Sequence, residues 1–156
     1  MSQVDLNEVI HSVIAVTRSE VERNRIALRT ELDADLPAIR ADRVQLQQVV
    51  LNLIMNAIDA MTDSEARELL VSSGQTTPQG VLVSVFDTGS GVDPQNVERV
   101  FEPFYTTKNS GMGMGLAICR SILETHGGRL SARANEPHGA IFEFELPIED
   151  VEAAAA

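Results

Sequence analysis

Cysteine, aromatic residues and positive charge are all scarce in this chain. A single cysteine, Cys119, excludes an internal disulfide and a metal site built from cysteines, and points to the cytoplasm. Lysine and arginine together number 12 against 23 acidic residues, a formal net charge of −11. No basic stripe is visible, so a nucleic-acid partner is not expected. No apolar run is long enough to cross a bilayer, and Met1–Asn7 lacks a basic region leading into an apolar one. Neither a membrane contact nor secretion is therefore expected. The acidic balance also constrains any anionic ligand. A polyphosphate would need a metal cation and local backbone N–H donors, because the bulk field repels it.

What the sequence does have is enough apolar material for one independent core: 44% of its 156 residues are hydrophobic. We expect one domain over residues 1–148 and a disordered tail over 149–156. Leu6, Val9, Ile10, Val13, Ile14 and Val21 recur at helical spacing and predict a helix over 6–23. Alternation from Ile26 to Leu32 predicts a strand, and a short one follows near Ile39. A long helix is expected over 43–61, capped by Asp42, with Gln45 three residues on to complete a capping box. Strands are expected near 69–73 and 81–86, a short helical piece near 95–100, and a helix over 115–125 stopped by Gly127-Gly128. Two closing strands, 129–134 and 141–146, form a hairpin turning at 135–139. This order predicts an α+β two-layer sandwich rather than a doubly wound parallel sheet.

The long helix carries an unusual polar stripe. At about 100° per residue, Val50, Ile54, Ala57 and Met61 form one face. Gln45, Gln48, Asn52, Asn56 and Asp59 gather on the other. A solvated face usually carries Lys, Glu and Arg, whereas Asn is a poor helix former, so two asparagines one turn apart ask for a reason. An Asn carbonyl is a neutral, hard donor suited to Mg²⁺.

Two glycine segments sharpen that reading. Asp87-Thr88-Gly89-Ser90-Gly91 follows an apolar strand. A carboxylate at a strand end accepts a hydrogen bond from an exocyclic amine, and glycines let a flat base approach the backbone. Adenine offers that amine; guanine presents a carbonyl there, which a carboxylate repels. Further on, Lys108-Asn109-Ser110-Gly111-Met112-Gly113-Met114-Gly115-Leu116 runs directly into a helix. Unobstructed N–H groups at a helix start cradle anions, and Lys108 adds a cation. The segment is neither a P-loop nor the dinucleotide fingerprint. Before it, Phe101-Glu102-Pro103-Phe104-Tyr105 places three aromatics in a loop, where they are expected to clamp a mobile lid.

Taken in order, Asn52–Ala57, Asp87–Gly91, Phe101–Phe104 and Gly111–Leu116 resemble the N, G1, F and G2 boxes of bacterial sensor histidine kinase catalytic domains. These belong to the wider GHKL group with gyrase, Hsp90 and MutL ATPases. The wording Phe104-Tyr105-Thr106-Thr107-Lys108 is most similar to kinases of the FixL and NtrB type. The resemblance runs from about Asp5 to Pro147 and implies the Bergerat fold, a mixed sheet with helices on one face.

It also implies ATP and Mg²⁺, and residues to hold them. Asn56 would coordinate the metal and Asn52 would face the triphosphate. Asp87 would take the adenine amine in a pocket shaped by Gly89 and Gly91. Lys108 and the backbone of Gly111, Gly113 and Gly115 would hold the phosphates, with Leu116 and Asp59 completing the lining. Asn52, Asn56 and Lys108 are the residues expected to serve the transfer itself. Two departures stand out: relatives often place a basic residue near Asp59, and a threonine where this chain has Ala140-Ile141. ATPases of the group carry Glu at the position of Asn52. An amide takes no proton at neutral pH, so the resemblance implies phosphotransfer to a protein nucleophile rather than hydrolysis. His11, His126 and His138 lack the surroundings of a phosphoacceptor and read as structural or surface residues. The implied partners are an upstream dimerisation and phosphoacceptor hairpin, a response-regulator receiver domain, and a second copy of the kinase.

Overall fold

The computed structural model describes residues 1–76, 79–91 and 115–148. Strand β1 (Ser2–Val4) leads into helix α1 (Leu6–Arg23), then β2 (Ala27–Glu31) and β3 (Ile39–Ala41). Helix α2 (Arg43–Ala60) follows, then β4 (Glu68–Thr76), β5 (Gly80–Phe86), helix α3 (Gly115–Thr125), β6 (Arg129–Ala134) and β7 (Ala140–Pro147). Five strands form one sheet in the order β2-β4-β5-β7-β6. β2 and β4 run parallel and the other neighbours antiparallel, so the sheet is mixed as expected. β1 and β3 make a separate antiparallel pair.

Period-two alternation places Val81, Val83 and Val85 of β5 against Leu146, Phe144 and Phe142 of β7 on one face of the sheet. Leu69 and Val71 of β4 are buried with them. The helices meet this face with Leu6, Val9, Ile10 and Val13 of α1, and Leu46, Val49, Val50, Leu53, Ile54 and Ala57 of α2. Burial of each large aliphatic side chain contributes about 1.5–3 kcal/mol, which makes this shared layer the main source of cohesion. The result is the expected α+β sandwich.

Helix boundaries follow from local chemistry. Asp5 caps α1 by accepting from the Asn7 N–H at 2.9 Å. Asp42 caps α2 by accepting from the Gln45 N–H at 3.2 Å. The expected return bond from Gln45 gives way to another partner: the Asp42 N–H donates to Nε2 of His126, 84 residues away, at 3.1 Å. Gly127, at φ 75°, ends α3 in the left-handed region. The strand β1 was not expected, while the helical piece near 95–100 and the tail 149–156 lie outside the described residues.

Candidate functional site

The first glycine segment sits where β5, β7 and the end of α2 converge. Asp87, just past β5, is 0% exposed. Its Oδ1 accepts from the backbone N–H of Gly89 at 2.9 Å and of Ala140 at 3.1 Å. The Asp87 N–H donates to the Ala140 carbonyl at 2.9 Å, and its own carbonyl accepts from Nδ2 of Asn135 at 2.8 Å. Backbone amides supply most of this frame, so the carboxylate is fixed without dependence on flexible side chains. Thr88 accepts from the Glu68 N–H at 3.0 Å and donates to the Ala66 carbonyl at 2.9 Å, which ties the segment to β4.

The glycines have a tighter reason than openness to a ligand. A Cβ on Gly89 would collide with the Ala60 carbonyl at the end of α2. Gly91, at φ +82°, would bring a Cβ to 3.0 Å from the Gly139 carbonyl oxygen. Gly139 itself has φ +108°, and a Cβ there would overlap the Asp87 carbonyl. The Ser90 N–H donates to the Ala60 carbonyl at 3.2 Å. The space the missing side chains leave is thus filled by the chain's own backbone at Gly89 and Gly139. Sequence reasoning missed Asn135 and Gly139 as parts of this site. Both read as turn residues, and nothing local tells that the turn closes on a residue 48 positions earlier.

The last glycine of the second segment, Gly115, meets the same helix near its middle. Lys108, Gly111 and Gly113 lie outside the described residues, as do Phe101–Tyr105. Gly115 and Leu116 are described, and they open α3. Nδ2 of Asn52 donates to the Gly115 carbonyl at 3.2 Å, while its Oδ1 accepts from Nε2 of Gln48 at 2.7 Å. Asn52 and Asn56 are both partly exposed, and Asp59 is exposed. The polar stripe therefore exists as expected, opposite the buried face of α2.

Two further polar ties pin α3 antiparallel to α2. The Cys119 thiol donates to the Val49 carbonyl at 3.8 Å. Burial pushes that thiol up to about 11, against a smaller lowering by its hydrogen bond to the Asn52 side chain. Cys119 is 0% exposed and packs as a small core residue. At the far end, His126 Nδ1 donates to the Ile122 carbonyl at 2.8 Å while Nε2 accepts from Asp42. Accepting at Nε2 requires the neutral ring with its proton on Nδ1. His126 is thus structural, bridging the end of α3 to the cap of α2. His11 and His138 are exposed.

These contacts define a line along one helix. Ala60 touches the Asp87 segment and Asn52 touches the start of α3, with Asn56 between them on the same face. Eight residues at 1.5 Å place the two ends about 12 Å apart. An elongated ligand with an amine-bearing ring at one end and anionic groups at the other suits that line. Among the described residues no three His, Cys, Asp or Glu side chains cluster as a metal site. Asn56 offers a single neutral oxygen, which fits an ion that keeps its waters and shares phosphate ligands. No described helix is long and apolar enough to cross a membrane.

Comparison with known proteins places the chain in a family. Residues 41–150 match the family described as histidine kinase-, DNA gyrase B-, and HSP90-like ATPase. The sensor protein FixL of Bradyrhizobium diazoefficiens is 42% identical over 145 residues, covering 93% of this chain and 29% of FixL. TdiS of Thauera aromatica is 37% identical over 92% of this chain and 27% of its own length. This chain thus spans under a third of each of these two relatives. Among solved structures, the catalytic domain of histidine kinase ThkA superposes with TM-score 0.82 at 33% identity, covering 94% of this chain and 96% of that one. Full-length ShkA in complex with AMPPNP gives TM-score 0.82 at 31% identity, over 94% of this chain and 30% of its own. ThkA has also been solved in complex with the response regulator protein TrrA, with TM-score 0.80 at 31% identity, over 95% of this chain and 42% of that one.

Proposed function

The chain belongs to the histidine kinase-, DNA gyrase B-, and HSP90-like ATPase family, as a histidine kinase catalytic domain, and from that premise we propose that it lays MgATP along α2 and passes the γ-phosphate to a histidine carried elsewhere. One observation carries the reading: a single helix is bonded at Ala60 to the Asp87 segment and at Asn52 to the helix that the glycine loop enters. The catalytic unit spans residues 1–148 and works in the cytoplasm, where ATP is abundant.

Asp87 accepts the adenine amine, since a carboxylate held by backbone amides costs nothing to reorganise when the base arrives. Asn56 supplies the protein oxygen for Mg²⁺, whose role when bound is to neutralise and align the phosphates. Asn52, Lys108 and the backbone of Gly111, Gly113 and Gly115 hold the phosphate oxygens, with Leu116 and Asp59 at the margins. Asn52 orients and donates but cannot remove a proton, so water at the γ-phosphate is left unactivated. Catalysis is then positioning and charge neutralisation, as phosphoryl transfer requires. The acceptor is a histidine on a helical hairpin of a dimeric kinase, and a receiver domain takes the phosphate onward. The complexes of ShkA with AMPPNP and of ThkA with TrrA support the nucleotide and the receiver respectively.

The test mixes this chain with labelled ATP, Mg²⁺ and a separately made hairpin bearing a phosphoacceptor histidine. Acid-labile, base-stable label on the hairpin is expected. Label on serine, or steady phosphate release by the chain alone, overturns the proposal in favour of a serine kinase or an ATPase.

A further inference from the structure

We propose that Asn135 is a positioning residue for the base: it fixes the peptide between Asp87 and Thr88, and through it the carboxylate that meets the adenine amine; this rests on the reading of Asp87 as the adenine acceptor. Asn135 follows β6 and opens the turn into β7, where its N–H donates to the Gly139 carbonyl at 3.0 Å. Both ends of its side-chain amide are spent on main-chain groups. Oδ1 accepts from the Glu136 N–H at 2.9 Å, and Nδ2 donates to the Asp87 carbonyl at 2.8 Å. A backbone N–H only donates and a backbone carbonyl only accepts, so the amide has a single orientation. Turned over, it would set donor against donor at Glu136 and oxygen against oxygen at Asp87. A side chain bound in this way is as fixed as the backbone around it.

What it holds is the hinge of the Asp87 frame. The Asp87 N–H donates to the Ala140 carbonyl at 2.9 Å, which fixes the peptide before this residue. The bond from Asn135 fixes the peptide after it. That second peptide leads through Thr88 to Gly89, whose N–H donates to Oδ1 of Asp87 at 2.9 Å. The other donor to Oδ1, the Ala140 N–H at 3.1 Å, lies just past the turn that Asn135 opens. Both amides that aim the carboxylate therefore depend on one residue. The Thr88 hydroxyl holds the segment toward β4, and Asn135 holds it toward β7. Gly139 presses on the same peptide: a Cβ there would overlap the Asp87 carbonyl and stand 2.9 Å from the Thr88 Cα. That contact limits approach but not rotation, and a directional hydrogen bond sets the rotation.

Two substitutions separate this role from general upkeep of the turn. Asn135→Asp keeps the shape and the acceptor for the Glu136 N–H but donates nothing to Asp87. Asn135→Ala removes both bonds and adds no charge. The parent and each variant are titrated in Mg²⁺ with ATP and with an analogue whose purine lacks the exocyclic amine. In the parent, ATP should bind roughly tenfold better or more, the worth of a hydrogen bond to a carboxylate. In both variants that preference should narrow roughly three- to tenfold, because the lost alignment concerns the amine alone. Partial unfolding, or the added charge of the Asp variant, weakens both nucleotides alike and leaves their ratio untouched. A preference kept in full by either variant overturns the proposal and makes Asn135 a turn residue only. A parent that binds the two nucleotides equally removes Asp87 from base recognition, and the inference falls with it. The two failures are thus read in different proteins.

Discussion

The C-terminal end of α2 and its middle are built by different means. At the Ala60 end, Asp87 is buried and its frame is mostly backbone: amides of Gly89 and Ala140, and glycines whose missing Cβ atoms let strands and helix touch. At the middle of the helix, Asn52 is partly exposed and held by a neighbouring side chain and one carbonyl across a gap between helices. Under the proposed function the base would meet the part held by backbone and the phosphates the part that adds side chains to it. Damage around Asp87 should therefore cost more folding stability and affinity than damage around Asn52.

Gly139→Ala should give the largest effect. It combines a positive φ with overlap on the Asp87 carbonyl, and about 3 kcal/mol of stability or more should go, read as a fall of roughly 10 °C in melting temperature. Gly74→Ala is the control, because nothing lies within 4 Å of a Cβ there. Its melting temperature should hardly move, and a matching fall in both would blur the contrast. Asp87→Asn should come next. Its Oδ1 still accepts the two amides, so the fold survives, while its NH₂ opposes the adenine amine. Titration should show ATP binding weakened roughly 10- to 100-fold, the range for a charged hydrogen bond, and unchanged affinity would remove Asp87 from base recognition.

Near the middle of α2, pH offers a probe. The folded Cys119 thiol ionises near 11 against an ordinary 9.0. The stability this contributes is fully present below pH 9 and is lost as pH climbs from there toward 11. The unfolded thiol releases its proton first, so the loss is on the order of 2 kcal/mol. Cys119→Ser should flatten that part of the stability curve in urea titrations; a slope unchanged by the substitution would assign it elsewhere. The smallest effect is expected from Asn56→Ala, with ATP affinity lowered roughly tenfold in Mg²⁺ and little in EDTA, since one of several metal ligands is lost. An equal loss in EDTA would move Asn56 from metal to phosphate.

Helices were more legible than their ties. The bounds of α1 and α3 agree with the reading of hydrophobic period and caps because both signals are local. The Gln45 capping bond was a sound local expectation that lost to His126, a competitor delivered only by tertiary packing. β1 escaped notice because three residues with only Val4 buried carry no period. In the site, residue types were readable but not always their reasons. Gly89 looked like room for a ligand, and its near neighbour is the end of α2. Asn135 and Gly139 gave no sign of serving Asp87, since the approach of β7 to β5 is a property of the sheet and not of either segment.

The spacing from Asn52 to Ala60 also makes α2 intolerant of insertions. One added residue between them would turn Asn52 by about 100° and carry it off the stripe. Four would restore the face yet lengthen the rod by about 6 Å, separating the two halves of the site by a full turn. The count of residues between those two positions is therefore as much a part of the site as the identities of Asn52 and Asn56.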